Sequence, residues 1–156
     1  MSTMTQQGTT QVYAVFVRAT PEQIWDAITK PEFTSKYFYG SVIESTWTAG
    51  EPYLGWSSDH SQQYVDGEIV EATPPHKLVT TWRALYDPET AAEPPSRVTW
   101  EIEPVGDSCR LTVTHDQLRE GANEQLYGGW PMILSGLKTW LETGELLTTP
   151  GSLMYT

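Results

Sequence analysis

Residues 20–38, TPEQIWDAITKPEFTSKYF, read as two short helices joined at a proline. Thr20 suits an N-cap, Pro21 suits the first helical position, and Gln23 stands three residues after the cap, the spacing of a capping box. Ile24, Ala27 and Ile28 fall on one helical face at i, i+3 and i+4. Lys30 precedes a proline and so avoids helical backbone; Pro31 then opens a second turn carrying Phe33, Tyr37 and Phe38. The pair stands between one strand, QVYAVFVRA at residues 11–19, and a long β-rich run.

From Gly40 the apolar period falls to two. SVIESTW, YLGWSS, QYVDGEIVEA, HKLVTTWRA, SRVTWEIEP and CRLTVTHDQ follow one another, separated by turn signals such as Ala49-Gly50, Pro74-Pro75 and Gly106-Asp107. Six strands in series predict an antiparallel meander. The helical period then returns: Trp130, Leu134, Leu137 and Leu141 form a stripe, with Gly144 placed to end it. Gly128, Gly129 and Pro131 predict a kink or break near Gly129, with Pro131 in the first turn of the main helix. A curved antiparallel sheet has a concave face that must be covered, and one long helix can fill it. The two early helices then close the end of the groove. The expected fold is α+β: about seven curved antiparallel strands wrapped around a long C-terminal helix, with two short helices between strands 1 and 2.

This order, with ATPEQIWDAIT, GEIVEATPPHKLVTTW, SRVTWEIEP, CRLTVTHDQL and GGWPMILSGLKTWLETGELL, resembles the helix-grip, or START/Bet v 1-like (SRPBCC), superfamily. More narrowly it is similar to the family named after the C-terminal domain of the activator of Hsp90 ATPase. The resemblance spans residues 11–147 and implies one domain there, with residues 1–10 a flexible N-terminus and 148–156 a C-terminal tail. It also implies an interior site between sheet and helix. Members of the wider superfamily bind lipids, sterols and hormones, and some are enzymes.

Composition narrows the function classes. Nine basic against twenty acidic residues give a net charge of −11. The basic residues are scattered singly, with none of the basic stripe that a nucleic acid or an anionic membrane requires. No stretch approaches the roughly 18 apolar residues of a spanning helix. The lone Cys109 forms no internal disulfide, and the polar start, MSTMTQQGTTQ, is not a signal peptide; both fit the cytoplasm.

Chemistry-bearing motifs are sparse. His60, His76 and His115 are not at metal-ligand spacing with one another or with Cys109. No nucleophile elbow or phosphate loop occurs, so neither a catalytic residue nor a cofactor is expected. His115 and Asp116 alternate onto opposite faces of their strand, which favours His115 as a lining residue over a base with its orienter. Glu68 and Glu71 are an odd number of residues apart, so they face opposite ways and one could point inward, either as a functional group or as half of a buried pair with Arg83 or Arg97. The aromatics say more. Trp82 shares a face with Leu78 and Thr80, and Trp100 with Val98 and Ile102, while Trp130 heads the helical stripe. Trp82, Trp100, His115, Tyr127, Trp130 and Leu134 are the expected lining of an apolar ligand site. The loop ALYDPETAAEPPS is expected to be long and mobile over its mouth. The partner read from this is a small apolar molecule, lipid-like or aromatic. A chaperone or a second copy of the chain is the alternative implied by the resemblance, and a small enzyme using interior acid–base residues is a third reading.

Overall fold

The computed structural model describes residues 9–38, 40–118 and 129–147. Seven strands form one antiparallel sheet: β1 Thr9–Val17, β2 Val42–Ser45, β3 Pro52–Trp56, β4 Gln63–Thr73, β5 Lys77–Ala84, β6 Ser96–Val105 and β7 Ser108–Leu118. Among the described residues four helices accompany them: α1 Pro21–Thr29, α2 Pro31–Tyr37, α3 Pro88–Ala91 and α4 Trp130–Thr143. The strand order is β1-β7-β6-β5-β4-β3-β2. Each expected strand is present, and the curved sheet grips α4 as expected.

The order explains the early helices. β1 and β2 lie at opposite edges, so the chain between them must cross the sheet. α1 and α2 make that crossing with their apolar faces inward. The capping box is complete: Gln23 N donates to Thr20 Oγ1 at 3.1 Å and Thr20 N to Gln23 Oε1 at 2.8 Å. Ile24, Ala27 and Ile28 are buried. The Tyr37 hydroxyl donates to the Ala27 carbonyl at 2.7 Å and ties α2 to α1.

α4 starts at Trp130 with Pro131 in its first turn, after Gly129 in left-handed backbone (φ 60°). It buries Trp130, Ile133, Leu134, Gly136 and Leu137. A Cβ on Gly136 would meet Tyr37 Cβ at 3.2 Å, so the glycine lets α4 lie close on α2. Gly144 ends the helix in left-handed backbone, as its position predicts. At the far end, Lys138 Nζ donates to the Phe16 carbonyl at 2.8 Å and Arg18 N to Glu142 Oε2 at 2.8 Å. These contacts occupy the edge of β1 that would otherwise invite another strand. Among the described residues no helix is long and apolar enough to cross a membrane.

Neither Glu68 nor Glu71 faces inward. The β4–β5 register shifts between Ile69 and Glu71, and the extra residue reverses the alternation. Glu68 is exposed, while Glu71 is half-buried on the outer side near Lys77. Arg83 and Arg97 pair instead with Asp66 and Asp116. The 84–96 connection contains the short helix α3. Asp87 caps the short α3, accepting from Glu89 N and Thr90 N, and the buried Thr90 hydroxyl donates to the Ala84 carbonyl at 3.0 Å. The Asp-Pro pair that starts α3 is the same cap-plus-proline signal that starts α1.

Candidate functional site

Strand register brings the interior residues together. Gln11 of β1 lies opposite His115 of β7, His115 opposite Val98 of β6, Val98 opposite Thr80 of β5, and Thr80 opposite Ile69 of β4. One inner-face row therefore crosses five strands. The next row runs Tyr13, Val113, Trp100 and Leu78. Trp82 stands opposite Ser96.

Trp130 sits over the middle of these rows. Its ring lies 5.4 Å from Trp82, 5.5 Å from Trp100 and 5.8 Å from both His115 and Phe38, centroid to centroid. The pairs with Trp100, His115 and Phe38 are edge-to-face, an arrangement aromatic quadrupoles favour. Phe38 also stacks on Trp82, and Tyr53 approaches Trp82 from the β3 side. All these rings are buried.

A hydrogen-bonded chain threads the cluster. The Trp130 indole can only donate, and it donates Nε1–H to His115 Nδ1 at 3.0 Å. His115 therefore carries its proton on Nε2 and donates to Ser96 Oγ at 2.7 Å. Ser96 in turn donates to the Trp82 carbonyl at 3.0 Å. The imidazole is thus held as a neutral ring with both nitrogens engaged.

Other polar atoms of the interior are not satisfied. Trp82 Nε1 and Thr80 Oγ1 are buried and have no hydrogen-bond partner among the described residues; Gln11 Oε1, at the β1 end of the row, also has none. Leaving a buried donor unpaired costs about 1–3 kcal/mol. Among the described residues the buried polar set contains no carboxylate, lysine or arginine. Burial pushes the Tyr53 phenol well above its ordinary pKa, and burial, then Tyr53, does the same to Tyr37, so both stay neutral. The Cys109 thiol is also pushed up by burial, then by Glu22, and it donates to the Ala19 carbonyl at 3.3 Å. No group of three or more metal-ligating side chains lies together among the described residues.

Of the expected lining residues, Trp82, Trp100, His115 and Trp130 meet in one cluster, and Leu134 lies one turn along α4 in the same core. Tyr127 lies outside the described residues. Phe38, Tyr53, Thr80 and Ser96 belong to the site as well. Thr80 and Ser96 were legible as polar residues on the inner side of apolar alternations; Phe38 and Tyr53 reach the cluster only through tertiary packing.

The family model described as "Activator of Hsp90 ATPase homolog 1-like protein" matches residues 18–142. No curated protein matches the sequence. Among solved structures, MLL2253 from Mesorhizobium loti superposes with a TM-score of 0.71 at 21% identity, covering 88% of this chain and 100% of that one. DynU16, from the dynemicin biosynthetic locus, gives 0.70 at 23% identity over 88% of this chain and 48% of that one. The Aha1 dimer from Colwellia psychrerythraea gives 0.69 at 19% identity over 88% and 98%. At these identities the likeness establishes the fold.

Proposed function

The chain belongs to the activator of Hsp90 ATPase homolog 1-like family, and from that premise we propose that it binds a small, mostly apolar molecule between the sheet and α4. The observation that carries this reading is the pairing of a buried ring cluster with buried donors that have no partner among the described residues, Trp82 Nε1 and Thr80 Oγ1. A core built only for stability satisfies its polar groups. A ligand site keeps a few polar groups converging on an apolar space. The residues assigned to it are Trp82, Trp100, His115, Trp130 and Leu134, with Tyr127 proposed from the sequence alone. The domain proper is taken as residues 11–147. His115 serves as a support that fixes Trp130, since both its nitrogens are already engaged.

A second reading is a co-chaperone-like module that docks on a protein. It draws on the family description and on the likeness to the Aha1 dimer. Native mass spectrometry of protein purified without detergent separates the two. A co-purified small molecule lost on denaturation is the expected result. A protein released only with a bound chaperone, and empty of small molecules, would favour the second reading.

A further inference from the structure

Resting on the ligand-binding reading, we infer that Thr80 and Trp82 form the polar recognition end of the site, and that the molecule they take is an uncharged ring system bearing an acceptor oxygen, a ketone or a phenol. Thr80 and Trp82 are two residues apart on β5, so both side chains lie on its inner face. Both are buried and neither has a polar partner among the described residues.

The neighbouring acceptors are already committed. His115 Nδ1 takes the Trp130 indole, and Ser96 takes His115 Nε2–H and donates to the Trp82 carbonyl. Turning His115 toward the Trp82 N–H would strip Trp130 of its own bond. Two tryptophans 5.4 Å apart thus differ in one respect: the described residues supply an acceptor to Trp130 and none to Trp82. An indole N–H only donates, so the missing group must accept. An oxygen has two lone pairs and can take the indole N–H and the Thr80 hydroxyl together. The hydrocarbon of a fatty chain can take neither. A carboxylate or an amine buried there would find no buried counter-charge among the described residues. Flat rings match the aromatic walls of Phe38, Trp82 and Trp100, which meet stacked and tilted.

The test uses two probes that differ by one oxygen, 2-naphthol and naphthalene, titrated calorimetrically into the wild-type protein and into Thr80→Val, Thr80→Ser and Trp82→Phe. Wild type should bind 2-naphthol at least about tenfold more tightly than naphthalene, about the worth of one hydrogen bond. Thr80→Val and Trp82→Phe should each bring the ratio to within about threefold, and Thr80→Ser should keep it. Equal affinities in wild type would overturn the inference and leave the ligand-binding reading standing. A ratio unmoved by Thr80→Val would also overturn the inference. Failure of both probes to bind would bring down both. If Trp82→Phe does not fold, the Thr80 pair decides alone.

Discussion

On the outer face of the sheet, Arg97 Nε donates to Asp116 Oδ1 at 2.9 Å, Arg83 Nε to Asp66 Oδ1 at 2.9 Å, and Arg110 reaches Glu103 at 2.8 Å. On the inner face of the same strands, Thr80 Oγ1 and Trp82 Nε1 lie within the core with no hydrogen-bond partner among the described residues. The outer groups are charged, numerous and paired, yet water stands ready to replace either partner, so each pair contributes little. The inner groups are neutral and few, but no solvent can reach them, so an unpaired one is expensive to keep. The contrast teaches where to look for function in this fold. The charged pairing on the outer face follows from register, whereas two unpaired polar groups side by side in the core require a reason.

The largest expected effect tests the packing that keeps the inner face dry. Leu134 is 4% exposed on the buried side of α4. Leu134→Ala should lower stability by about 2–5 kcal/mol in urea unfolding. A loss below about 0.5 kcal/mol would mean that α4 does not seal the sheet.

A smaller effect of opposite sign is expected at Thr80. Thr80→Val replaces an unpaired hydroxyl with a methyl of similar shape, so the ligand-free protein should be unchanged or gain up to about 1 kcal/mol. A loss of more than about 1 kcal/mol would show that the hydroxyl has a partner and would erase the contrast.

On the outer face, Arg97→Ala should cost only about 0.2–1 kcal/mol, and less in high salt, because the Arg97 side chain is 42% exposed. A loss above about 2 kcal/mol would put outer and inner faces on the same footing.

The least effect belongs to the exposed 57–61 turn. Asp59 accepts from the Ser61 hydroxyl and amide and from the Ser57 hydroxyl, which hold its carboxyl down at about 2. A depressed value in the folded state stabilises the turn above pH ~4, and this contribution disappears as the pH falls through about 2. Carboxyl NMR should place the Asp59 midpoint near 2; a midpoint at its ordinary 3.8 would mean the serines do not hold it.

Much of this was written locally in the chain. Thr20, Pro21 and Gln23 lie within four residues, and their cap formed as read. Period-two runs placed the strands and put Trp82, Trp100 and His115 on the inner face. What escaped depends on more than one segment. The shift after Ile69 adds one residue against β5, and no alternation within β4 alone reveals that Glu71 turns outward. α3 spans four residues, too short for a helical period to emerge, although its Asp87-Pro88 cap was there to read. Phe38 and Tyr53 join the rings from α2 and β3 through packing alone. The unpaired state of Trp82 was the least legible feature. It follows from which neighbour claims each nitrogen of His115, 33 residues along the chain, and that is decided by three strands and a helix together.

The central claim is that the inner face lacks one acceptor and a ligand oxygen supplies it. Indole and guanidinium N–H resonances of 15N-labelled protein test it directly, with 2-naphthol as the probe. The Trp82 Nε1–H should move downfield and exchange more slowly with water, the Trp130 Nε1–H should keep its bonded character to His115, and the Arg97 Nε–H on the outer face should stay in place. If the Trp82 resonance is unmoved at saturation, or only outer-face groups respond, the account is contradicted.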